Sequence, residues 1–149
     1  MRVWIMLLLL LCGGASSALA ASAKIIKVLP QFIDLEGRRS ISPSLYDRDA
    51  YQAKLRREPR ERSGISFAIQ WKAKQTNPLK LRVEMRGGKG KEATQATLES
   101  SSTHLVGFSK WTQLTLSGED YKKFGELIAW RATLWEGDKL LSEKKSFLW

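Results

Sequence analysis

The sequence predicts an all-β fold, an antiparallel β-sandwich with one helical insertion after the first strand. Three observations carry that expectation. Segments between residues 64 and 149 alternate apolar and polar residues with period two, which turns one face of each strand to a core and the other to water. Tryptophans stand on alternating phases of different segments, where two sheets can share them. The only cysteine is Cys12, so everything after it must fold on its hydrophobic core alone.

The first element is a targeting segment. Met1 and Arg2 precede an apolar run, Val3 to Cys12, and a small-residue tract, GGASSALAASA. A basic start, a short apolar centre and an A-x-A ending are the parts of a secretory signal peptide. Residues 1–23 are therefore expected to direct export, with cleavage after Ala20 or Ala23. Retention as an uncharged anchor from Val3 to Ala23 is the alternative, although only its first half is strongly apolar. Leu11 before Cys12 does not suit a lipidation site. Residues 24–149 form a single domain of ordinary size, with no transmembrane span after cleavage. The expected location is secreted or periplasmic.

The segment IIKVLPQFIDLEG is apolar on both phases, and Pro30 marks it as an edge strand or the site of a bulge. Residues 38–62 follow, basic and predicted helical. Ser42-Pro43 offers one helix start, Ser44-x-x-Asp47 a second, and Pro59 ends the helix at or before Glu58. Its apolar face is poor, with Tyr46, Ala50 and Ala53 on one side and Tyr51 and Leu55 on the other.

GISFAIQWKA, residues 64–73, sends Ile65, Phe67, Ile69 and Trp71 to one face. After Asn77-Pro78, LKLRVEMR repeats the pattern with Leu79, Leu81, Val83 and Met85. The short break makes the two strands expected antiparallel neighbours. RGGKGKEAT reads as a mobile loop, and residues 92–108 as either a strand or a long loop. Thr112, Leu114 and Leu116 alternate, then SGEDYKKFG makes a polar or helical turn. Ile128, Trp130, Ala132 and Leu134 point inward, with Arg131 and Thr133 outward. Glu136-Gly137-Asp138 is a hairpin turn. The last strand carries a bulge at Leu140-Leu141 and the edge-guarding charges Lys139, Lys144 and Lys145.

From Ile65 onward this pattern resembles an immunoglobulin-like or fibronectin type III-like domain. The likeness rests on the inward Trp71 of GISFAIQW and on the closing pair LIAWRATLW and KLLSEKKSFLW. Tyr121 lies near the place of a tyrosine corner. The paired cysteines of antibody domains are absent, and a resemblance of fold transfers no functional residue.

The residues also limit the chemistry. His104, in ESSSTHLVG, is the single histidine and reads as a solvated loop residue, since serines adjacent in sequence do not make a triad. One histidine and no mature cysteine cannot supply a zinc site. Asp47 with Asp49, and Glu119 with Asp120, lack calcium-loop spacing. RGGKGKEAT misses the phosphate-loop pattern, because Glu92 stands where Ser or Thr should follow the lysine. No cofactor, metal or catalytic residue is expected, and the protein is not expected to be an enzyme.

Binding is left. Loss of Arg2 takes the net charge from +10 to +9, which draws such a chain to anionic surfaces. The candidate anion or partner site is the cluster Arg38, Arg39, Arg48, Lys54, Arg56, Arg57, Arg60 and Arg62. Arginine forks suit phosphate and carboxylate, while Asp47, Asp49, Glu58 and Glu61 interrupt the cluster. The expected function is a non-catalytic exported domain that binds a protein or cell-envelope component, through an exposed edge strand or an apolar patch including Tyr46 and Trp149. The alternative is a binder of anionic polysaccharide, lipid headgroup or nucleic acid through residues 38–62, export arguing against nucleic acid.

Overall fold

Perfect alternation makes the central strand of the first sheet. In a computed structural model, which describes residues 22–149, Ile65, Phe67, Ile69 and Trp71 of β2 (Arg62–Ala73) are fully buried. The predicted signal segment before Ser22, with Cys12 and the Ala20 cleavage position, lies outside the described residues. β2 is flanked antiparallel by β1 (Ala23–Asp34) and β5 (Ser109–Ser117). The second sheet runs β4 (Glu92–Ser102), β3 (Leu79–Lys89), β6 (Glu126–Glu136), β7 (Lys139–Lys145). Two antiparallel sheets of three and four strands face each other, with helix α1 (Leu45–Arg57) inserted directly after β1. This is an immunoglobulin-like sandwich.

The neighbour expectation for β2 and β3 is corrected. They belong to opposite sheets, and residues 74–78 carry the chain across the sandwich. Alternation reports which face is buried and says nothing about which strand lies alongside. Both faces meet in one core, where Phe67 of β2 packs edge-on against Trp130 of β6, with ring centroids 6.2 Å apart.

RGGKGKEAT is a tight hairpin between β3 and β4, not a mobile loop. Its turn residue Gly90 has φ +63°, while Gly87 lies within β3. A Cβ on Gly87 would meet Phe124 Cζ at 2.6 Å and Glu126 O at 2.7 Å, so only glycine lets α2 (Gly118–Phe124) close over the strand. Residues 92–102 form a full strand, and 103–108 form the loop to β5. In β6 a register shift opposite Arg86 and Gly87 turns Ile128 outward, to 56% exposure, and Thr133 is buried. Both reverse the simple alternation expected there.

The outer edges are guarded. β7 is short, basic and bulged at Leu141, since Leu134 pairs with Ser142 and Trp135 with Leu140. β1 carries Pro30 and two register shifts, after Ile25 and after Ile33. α1 completes the guard. Gln52 Oε1 accepts from Phe32 N–H at 2.8 Å and its Nε2 donates to Phe32 O at 2.9 Å, so one amide side chain stands in for a missing strand. Ser44 caps the helix by accepting from Asp47 N–H at 3.4 Å, and the chain leaves it at Glu58 before Pro59.

Candidate functional site

Asp34, at the end of β1, organises the predicted basic segment. Its carboxylate is buried and accepts from Tyr51 Oη at 2.5 Å, Arg38 N–H at 2.8 Å, Glu36 N–H at 2.9 Å and Arg38 Nε at 2.8 Å. Burial alone would raise its pKa. The Tyr51 hydroxyl and the Arg38 and Glu36 donors outweigh burial and hold it well below the ordinary carboxylate range. The same contact raises the Tyr51 pKa, with burial adding to it. This is a closed, satisfied network that fixes how the chain leaves β1. An Asp three residues before Gly37, which takes φ +81°, is the signal that could have revealed it.

The structure divides the eight cations. Arg38 pairs with Asp34 and Glu36, each at 2.8 Å, Arg48 with Asp49 at 3.2 Å, and Lys54 with Glu61 at 2.8 Å. Arg62 is buried: its Nη1 meets both Glu126 oxygens at 2.8 and 2.9 Å, and its other nitrogens donate to the carbonyls of Leu55 and Arg56. Its guanidinium also lies 4.0 Å from the Phe32 ring centroid. It joins the last turn of α1 to both sheets. Arg39, Arg56, Arg57 and Arg60 make no ion pair among the described residues, and all but Arg39 are exposed. With roughly 100° between successive helix residues, Arg48, Lys54, Arg56 and Arg57 project in four different directions.

Two other predicted contributors also resolve. Tyr46 is 82% exposed, whereas Trp149 lies against Arg86, whose guanidinium is 4.0 Å from its ring centroid. His104 is not solvated. Its ring packs on Trp71 with centroids 5.2 Å apart, and both its nitrogens are buried without a partner.

Sequence reasoning missed the opposite side of the sandwich, where the sheets present two unguarded edges. β4 holds no Lys, Arg or Pro, and its register with β3 is unbroken. β5 also runs without a bulge along β2. Its one charge, Lys110, folds back to Ser102 Oγ at 2.6 Å and Thr103 O at 2.8 Å. Between these edges lies a groove of about 510 Å³, lined by Thr94, Ala96, Leu98, Leu116, Asp120 and Phe124 among others. Backbone donors and acceptors on an edge without proline or bulge are open to a further strand.

Among the described residues no group of three or more His, Cys, Asp or Glu is placed to hold a metal, and no helix is long and apolar enough to cross a membrane. No protein-family model, curated protein or solved structure matches the chain.

Proposed function

We propose that the protein is an exported, non-catalytic interaction module, of the fibronectin type III kind within the immunoglobulin-like sandwiches, which binds an extended segment of a protein or cell-envelope partner. The observation that carries this reading is the contrast between guarded and unguarded edges. Between them β1 and β7 carry a proline, lysines and register shifts, whereas β4 and β5 flank a groove with no proline and no register shift, and their Glu99 and Lys110 are bonded to Arg82 and to Ser102 and Thr103. Main-chain bonds along such an edge give affinity, and the alternating pockets of the groove give selectivity.

Export rests on the signal pattern, and the contacts of the domain favour one of its two cleavage positions. Ala23 is buried and pairs with Ala73, while Ser22 accepts at its carbonyl from Lys74 N–H at 2.8 Å. Cleavage after Ala20 keeps both contacts, and cleavage after Ala23 removes them.

Capture of partners from the cell envelope tests the reading, with low-salt and high-salt washes. The expected partner survives high salt and is lost, about tenfold or more, when Thr97→Lys and Gln113→Lys add an outward lysine to each of the two edges. Retention of the partner by that double variant would sink the edge reading. A second reading keeps the exposed Arg56, Arg57 and Arg60 as an anion site. It is favoured if binding is released by salt and abolished when those three become Ser.

A further inference from the structure

The end of the sandwich where β1 begins and β2 finishes carries a chemistry that the edge groove does not use. The loop 103–108 crosses it and is fastened there, Gly107 N–H donating to Ala73 O at 2.9 Å. The His104 ring, packed on Trp71, anchors the loop from inside. Phe108 N–H donates to Leu105 O at 3.2 Å and closes a turn in which Gly107 takes φ +80°. The remaining apolar side chains therefore stand outward on a fixed tip: Leu105 is 76% exposed, Phe108 70% and Val106 46%. Apolar groups gathered on one exposed turn mark a contact surface.

Cations border that tip. Lys24 and Lys72 are directly opposite each other in the β1–β2 register, and with Lys74 they line a pocket of about 100 Å³ beside Gly107. None of the three makes an ion pair among the described residues. The acids at this end, Glu136 and Asp138, belong to the β6–β7 turn of the other sheet, and Glu136 accepts from Asn77 Nδ2 at 2.9 Å. Like charges directly opposite in a sheet oppose folding, and an anion between them would remove the repulsion.

We infer that this end docks on an anionic phospholipid bilayer surface. Leu105, Val106 and Phe108 enter the acyl boundary, and Lys24, Lys72 and Lys74 meet headgroup phosphates. An apolar tip inside a cationic rim matches an apolar interior beneath an anionic layer. The surface is separate from the β4–β5 groove, and either assignment can fail alone.

Co-sedimentation with vesicles tests it, using the exported protein with its N-terminus read by mass spectrometry. Mixed phosphatidylcholine–phosphatidylglycerol vesicles are compared with phosphatidylcholine alone. Anionic vesicles should bind more tightly, and salt should weaken them. Each of Lys24→Gln, Lys72→Gln and Lys74→Gln should cost roughly fivefold. Phe108→Ser and Leu105→Ser, both at exposed positions, should each cost about tenfold even at low salt. Lys122→Gln with Lys123→Gln, at the far end, should change nothing. The assignment is overturned if binding ignores lipid charge, if both apolar variants bind undiminished, or if the far-end pair loses as much as the tip lysines. Failure on vesicles with retention of a soluble polyanion such as dextran sulfate overturns it too.

Discussion

At the end of the sandwich that holds α1 and α2, Arg38, Lys54 and Arg62 each meet a carboxylate, whereas at the opposite end Lys24, Lys72 and Lys74 meet none. The first end is denser in charge along the sequence but ties several of its cations to carboxylates, whereas the second sets three unpaired lysines beside an exposed apolar turn. A cation that is buried or paired has its field spent on its partner, while an unpaired one beside exposed apolar surface stays available to a ligand. Charge density along a chain therefore marks where cations occur, and pairing decides which of them can bind.

Removing Arg62 should break the first end most severely. Arg62→Ala leaves the carbonyls of Leu55 and Arg56 without their donor and uncouples α1 from Glu126. We expect a loss of about 3 kcal/mol in urea unfolding, with α1 opening early in amide exchange. A loss no larger than that of the exposed Arg57→Ala would mean that the guanidinium is not structural.

Asp34→Asn sharpens the comparison through pH. The folded pKa of Asp34 lies below the unfolded value, so its stabilisation is fully present above that value and is lost as pH falls through the folded one. The variant should be about 2 kcal/mol less stable near pH 7, and the difference should shrink below about pH 4. A difference independent of pH would assign the loss to geometry and not to charge.

The smallest effect is expected at the second end, with the opposite sign. Lys24→Gln removes one member of the directly opposed lysine pair and should stabilise the domain by a few tenths of a kcal/mol while weakening vesicle binding. Stabilisation that disappears at high salt would identify the repulsion as its source.

Much of the architecture was legible in advance. The inward sets of β2 and β3, the edge role of Pro30, the lysines of β7 and its bulge, and the stop at Pro59 all follow from local chemistry. What could not be read was adjacency. Gln52 gives no local sign that its amide will replace a strand partner for Phe32, because that pairing joins residues twenty apart through tertiary contact. Leu105, Val106 and Phe108 look like core residues in sequence, and only their place on a turn anchored by Gly107 and His104 leaves them in solvent.

The sequence by itself determined the class of fold, the buried faces of β2 and β3, the helical insertion and the export pattern, because each depends on periodicity, capping or composition within a few residues. The tertiary structure decided which sheet each strand joined, which cations were tied to Asp34, Glu61 and Glu126, and which edges and which tip stayed open. Those outcomes depend on contacts between residues far apart in the chain, and pairing, burial and edge exposure exist only once the two sheets have closed on each other.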